Sequence, residues 1–172
     1  ENVPAETLET LIAAGARVAP TPNALAIAQD RFDEKSYFQS AGIATPPFKA
    51  ISSQEDLDAA IAEIGVPAIL KTRRLGYDGR GQIRINSLAD AKGAYARLGA
   101  PGILEGFCSF EREISVIGVR GAGAATSFFE ACENEHSGGI LSRTTLPAKI
   151  DTFTADAAER AVFLTMEAFD YV

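Results

Sequence analysis

Apolar residues recur along the chain with two different periods, and the changes between them mark out its elements. Residues 4–14 place Leu8, Leu11 and Ile12 on one helical face, with Pro4 suited to a first turn and Gly15 to a stop. A second helical stretch begins at Thr21 and Pro22, runs through 24–29 and, with breaks, through 30–40, and stops near Gly42 ahead of Thr45, Pro46 and Pro47. Residues 48–51 read as a short strand. Ser52 and Glu55 then form a capping-box pattern that opens a helix to Ile64, closed by Gly65. Residues 66–72 and 82–85 are strands joined by a glycine-rich turn containing Asp78-Gly79, a strong hairpin signal. Ser87 with Asp90 repeats the capping-box pattern and starts a helix to about Leu98.

Beyond Pro101 the pattern changes. Residues 102–107, 113–120 and 126–132 are strand candidates with short links, which suggests one antiparallel sheet. Residues 154–169 form a final helix with Ala158, Ala161, Val162, Thr165 and Met166 on one side. Blocks of helices and strands of this kind predict an α+β fold.

Composition narrows the class. With 172 residues, 47% hydrophobic and 23% charged, the chain can bury a sizeable core, and no apolar run approaches a bilayer span. A net charge of -7 opposes non-specific attraction to nucleic acid or anionic membrane, so a phosphorylated ligand needs a local positive site. Cys108 and Cys132 have no CxxC or zinc-type spacing and are expected to be reduced, buried thiols. The only methionine is Met166 and the chain opens at Glu1, so it is read as an excerpt of a longer protein.

Three stretches carry chemistry. Lys71, Arg73, Arg74, Arg80 and Arg84 gather five positive charges against Asp78 alone, interleaved with Gly76, Gly79 and Gly81. Glycines let backbone N–H groups approach phosphate oxygens. The same pattern also fits an ordinary hairpin with a solvated basic face. Strand–loop–strand is the wrong setting for a dinucleotide fingerprint or a Walker loop, both of which need a following helix. Next, Glu105, Glu111 and Glu113 flank residues 106–110, where a strand end can present backbone groups to an adenine edge and a carboxylate to ribose hydroxyls; an exposed loop is the plainer alternative. Last, residues 133–141 contain His136, the sole histidine, which excludes a multi-histidine metal site and fits a polar surface residue as well as a ligand-binding one.

Together these segments resemble the N5-carboxyaminoimidazole ribonucleotide synthetases, ATP-grasp ligases of purine biosynthesis. The resemblance rests on Ala28-Gln29-Asp30-Arg31 with Lys35, on Leu70-Lys71 followed by residues 76–82, on Glu105 with Glu113, and on Glu133-Asn134 with His136 and Gly139-Ile140-Leu141. It implies a partial ATP-grasp fold, two α+β subdomains with nucleotide between them. Residues 1–20 would end an N-terminal nucleotide-binding-like domain, 21–44 form a helical connection, 45–98 a small subdomain and 99–172 the first part of a large one.

The resemblance also implies roles. Arg31 and Lys71 would contact the ATP phosphates, and Gly76, Tyr77, Asp78, Gly79, Arg80, Gly81 and Gln82 would form a flap over the triphosphate. Glu105, Gly106, Phe107 and Cys108 would border adenine, Glu113 would bind ribose and His136 would complete the nucleotide site. Tyr77, Asp78 and Arg80 would also reach aminoimidazole ribonucleotide, Arg80 being the catalytic candidate, and Glu1 is a further substrate contact. The implied reaction phosphorylates bicarbonate with ATP and transfers the carboxyl group to the ribonucleotide amine. The implied substrates are thus ATP, bicarbonate and that nucleotide, with Mg²⁺ held by ligands beyond residue 172; no metal ligand is assigned within the chain. Neither nucleic acid nor membrane is expected as a partner; a cytoplasmic homodimer is, and the excerpt alone is expected to be inactive. The alternatives are another carboxylating ATP-grasp ligase or a non-catalytic nucleotide-binding module.

Overall fold

The computed structural model describes residues 3–76, 80–121, 123–169 and 171. The chain divides into two compact units, one of residues 29–36 and 44–109, the other of 1–28, 37–43 and 110–172.

The first unit is a two-layer α/β structure. Strands β1 (Phe48–Ile51), β2 (Ala68–Thr72), β3 (Gln82–Ile85) and β4 (Gly102–Gly106) form one antiparallel sheet in the order β1-β4-β2-β3. Side chains alternate between the faces of a strand, so Leu70 and Leu104 point one way and Lys71 and Glu105 the other. On the Leu70 side, α4 (Gln54–Ile64), α5 (Leu88–Ala91) and α6 (Ala94–Leu98) contribute Leu57, Ala60, Ile61, Ala91 and Ala94 to a core shared with Ile51, Ala68, Leu70, Ile85 and Leu104. Each fully buried Leu or Ile there contributes roughly 1.5–3 kcal/mol. The opposite face carries the polar chemistry, and the opening of α3 (Arg31–Ser40) meets it through Lys35, which reaches Glu105.

Local differences from expectation have local causes. The cap of α4 is Ser53, whose hydroxyl accepts from the Asp56 N–H at 3.0 Å, one residue later than the Ser52 and Glu55 pairing. Asp56 reciprocates by accepting from the Ser52 N–H at 2.8 Å. Ser87 and Asp90 do form a capping box, but the expected single helix is split because Gly93 takes φ +65.

In the other unit, α1 (Ala5–Ala13) packs on α2 (Pro22–Ala28). The expected strand 113–120 is two strands, β5 (Glu113–Ser115) and β6 (Gly118–Arg120), because they pair with different partners. Strand β6 pairs with β7 (Thr126–Phe128), whereas β5 pairs with β8 (Cys132–Ser137), which continues into β9 (Ile140–Thr145). The single sheet expected of residues 102–132 is therefore divided three ways, with β4 in the first unit. The β8–β9 turn uses Gly138 at φ +60 and Gly139 at φ +83, values that side-chain-bearing residues adopt poorly. Helix α7 (Thr152–Ala168), capped by Asp151, covers β6, and Gly118 is required there: a Cβ would lie 2.5 Å from Val162. Tyr37 stacks on Phe169 with ring centroids 4.3 Å apart. Among the described residues no helix is long and apolar enough to cross a membrane. Both cysteines are free thiols, but neither is buried as expected: Cys108 is exposed where the chain leaves β4, and Cys132 is half-buried at the start of β8.

Candidate functional site

Within the first unit, the N-terminal turn of α3 grips the segment that follows β2. Asp30 sits just before the helix and its Oδ1 accepts from the Phe32 N–H at 3.0 Å, as an N-capping carboxylate does. The Arg31 N–H donates to the Arg73 carbonyl at 2.9 Å. Its guanidinium donates to the Thr72 carbonyl at 2.8 Å and the Gly76 carbonyl at 2.7 Å. These bonds use two of the five guanidinium N–H donors. The loop is also drawn closed at its base, because the Thr72 N–H donates to the Gly81 carbonyl at 2.8 Å. Gly76 and Gly81 are needed at this neck. A Cβ on Gly76 would lie 2.9 Å from Arg31, and one on Gly81, at φ +68, would lie 2.8 Å from Thr72 Oγ1.

Arg73 and Arg74 both pair with acidic side chains, Arg73 half-buried and Arg74 exposed. Arg73 Nε donates to both oxygens of Asp30 at 2.8 and 3.0 Å and its NH2 to Asp33 at 3.0 Å, while Arg74 donates to Asp30 at 3.2 Å. Burial alone would raise the Asp30 pKa; the bonds from Arg73, the Phe32 N–H and Arg74 outweigh it, so its carboxyl lies below the ordinary 3.8. The bond to Asp30 in turn raises Arg73. Arg84 donates to Asn86 and lies over the Phe107 ring, 4.3 Å from its centroid. The charge cluster legible around residue 71 is thus largely neutralised by carboxylates some 40 positions away in sequence, a pairing that a local window cannot register.

Lys71 remains directed at a different group. Its Nζ donates to Glu105 Oε2 at 2.8 Å, and Lys35 Nζ lies 3.7 Å from the same oxygen. Glu105 is 6% exposed, and its Oε1 is buried without a hydrogen-bond partner among the described residues. The segment after it turns inward through its backbone: the Gly106 N–H donates to the Pro47 carbonyl and the Phe107 N–H to the Pro67 carbonyl. Arg80 is exposed in the turn that leads into β3, and Gln82 begins that strand opposite Lys71. Tyr77, Asp78, Gly79 and Glu1 lie outside the described residues.

Glu113 and His136 belong to the other unit. The β5–β8 pairing brings Glu113 Oε1 within 3.4 Å of His136 Nδ1, beside a bulge between Glu135 and His136. Asn134, in register with Glu113, donates to Ser115 and accepts from Thr144. Among the described residues no three His, Cys, Asp or Glu side chains are grouped to hold a metal ion. Asp30, Asp33 and Lys35 are the structural partners that sequence reasoning left without roles, although Asp30 and Lys35 stand in the motif around Arg31.

Comparison with known proteins agrees with this architecture. Residues 36–172 match the ATP-grasp domain. The chain is 46% identical to an N5-carboxyaminoimidazole ribonucleotide synthase of Brucella melitensis over 100% of its own length and 48% of the relative's. It superposes with TM-score 0.93 at 32% identity on an N5-carboxyaminoimidazole ribonucleotide synthetase solved as its ADP complex, covering 99% of this chain and 45% of that one. The synthetase from Thermus thermophilus gives TM-score 0.91 at 40% identity, with 100% and 46% covered. The chain thus spans about half the length of the relatives it matches. In sequence and in fold, it belongs to the ATP-grasp family.

Proposed function

We propose that the intact protein carrying this chain is a cytoplasmic, homodimeric ligase that uses ATP to carboxylate 5-aminoimidazole ribonucleotide with bicarbonate, and that this chain supplies the nucleotide-binding part. The observation that carries the reading is the neck of the glycine loop, braced by Arg31 beside Lys71, in a chain 46% identical to a named synthase. Lys71 and the remaining N–H groups of Arg31 would meet the phosphates, and Gly76 to Gln82 would fold over them. Glu105, Gly106, Phe107 and Cys108 would border adenine, with the Gly106 and Phe107 N–H groups already donating to Pro47 and Pro67. Glu113 would take ribose hydroxyls with His136 beside it, while Tyr77, Asp78 and Arg80 would reach the ribonucleotide.

The chemistry suits these residue types. Bicarbonate is a poor electrophile, so its oxygen first attacks the γ-phosphorus of ATP and ADP leaves, giving carboxyphosphate. The exocyclic amine of the ribonucleotide then attacks the carboxyl carbon, the C–O bond to phosphate breaks, and phosphate departs as the nitrogen loses a proton. Phosphoryl transfer needs alignment and charge neutralisation more than covalent help, which cationic side chains and backbone donors supply. A closed loop protects the short-lived intermediate from water. Magnesium, when bound, would help neutralise the phosphate charge, with its protein ligands proposed to lie beyond residue 172.

The test is phosphate release by the intact protein with bicarbonate present. Release that depends on aminoimidazole ribonucleotide supports the assignment, whereas indifference to that nucleotide excludes it. In titration calorimetry, Lys71→Ala is expected to weaken ADP binding by about 2 kcal/mol; unchanged affinity would remove Lys71 from the phosphate site.

A further inference from the structure

Lys35 projects from the second turn of α3 onto Glu105, and the proposed reaction gives it nothing to do. We propose that Lys35 is a positioning residue that neutralises Glu105 and so frees the charge of Lys71 for an anionic ligand. The inference rests on the reading that Lys71 meets nucleotide phosphate. Lys71 and Glu105 alone, joined at 2.8 Å, form a neutral pair with little pull on phosphate. Lys35, 3.7 Å from the same oxygen, makes the group net positive.

Burial points the same way. The Glu105 side chain is 7% exposed, against 20% for Lys35 and 25% for Lys71, so its carboxylate cannot turn to water when Lys71 turns to a ligand. A buried charge stripped of its partner is costly. Oε1 has no hydrogen bond among the described residues, so compensation runs through Oε2 and hence through the two lysines. On the same face of the sheet, Arg84 of β3 donates to Asn86, whereas Lys49 of β1 and Glu63 of α4 pair with each other at 2.8 Å on the opposite face. Lys35 therefore holds the carboxylate while Lys71 is shared with the ligand.

The experiment is calorimetric titration of the intact protein with ADP, comparing wild type, Lys35→Met, Lys35→Arg, Glu105→Gln and the Lys35→Met/Glu105→Gln double variant. Thermal melting without nucleotide verifies that each is folded, and Lys35→Gln replaces Lys35→Met if the latter does not fold. Lys35→Met is expected to weaken ADP binding about tenfold and Lys35→Arg to restore most of it. In the Glu105→Gln background the effect of Lys35→Met should shrink to about twofold or less, since no carboxylate is left to neutralise. Equal losses in both backgrounds would overturn the proposal by showing that Lys35 acts on the ligand independently of Glu105. No loss in either would overturn it as well. If wild type itself binds no ADP, the nucleotide reading fails first; binding that survives Lys35→Met but not Lys71→Ala refutes the role of Lys35 alone.

Discussion

Replacing Asp30 by Asn tests the brace at the loop neck, because Asn keeps the shape and the capping oxygen but discards the charge. In the native chain the Asp30 side chain is 5% exposed and takes Arg73 through both oxygens, with Arg74 as a third contact. A hydrogen bond to a charged group is worth about 1.5–3 kcal/mol. The Arg74 side chain is 55% exposed, so its share is screened to well under about 1 kcal/mol. The expected cost of Asp30→Asn at neutral pH is therefore about 2–3 kcal/mol. The pH dependence follows from the lowered folded pKa. A carboxyl depressed in the fold contributes its full stability above the unfolded value of about 3.8, and that contribution fades as pH falls through the folded value. The difference between wild type and variant should thus be constant from pH 7 to about 5 and shrink progressively as pH falls below about 3.8. Urea unfolding across that range measures it, with hydrogen exchange of the β2 and β4 amides reporting on this unit. A difference below about 0.5 kcal/mol at pH 7, or one that persists undiminished at pH 3, would refute the reasoning.

Two smaller perturbations probe local geometry. Ser53→Ala removes the side-chain cap of α4 and should cost about 1 kcal/mol, whereas Ser52→Ala, which retains the backbone N–H that Asp56 accepts, should cost less than half of that in denaturant titrations. Gly81→Ala places a Cβ 2.8 Å from Thr72 Oγ1 at φ +68 and should lower stability by about 1–2 kcal/mol, seen as a depressed melting temperature; an unchanged melt would mean the neck relaxes freely.

What the sequence revealed followed the range of each interaction. Strands 48–51 and 82–85 and the Ser87–Asp90 box are governed by neighbours within a few positions, and their boundaries were legible to the residue. The split between β5 and β6 was not, because it depends on which distant strands each one joins. The hairpin of β8 and β9 has its signal in Ser137-Gly138-Gly139, but residues 133–137 are all polar and lack the apolar alternation that marks a strand. The ordered motifs around Arg31, Lys71 and Glu105 were enough to indicate the family. The partners that decide their electrostatics were hidden by separation: Asp30 lies 43 positions from Arg73, and Glu105 lies 34 positions from Lys71.

The bond between Thr72 and Gly81 works as a clasp on the loop, and it has an evolutionary consequence. Because the stem is fastened below the tip, the cost of lengthening the tip is chain entropy alone, about 0.6 kcal/mol for each doubling. The pairing register of the flanking strands is insulated from such a change. Insertions within the loop would then leave the sheet that carries it undisturbed, making this stretch a place where the chain tolerates changes of length.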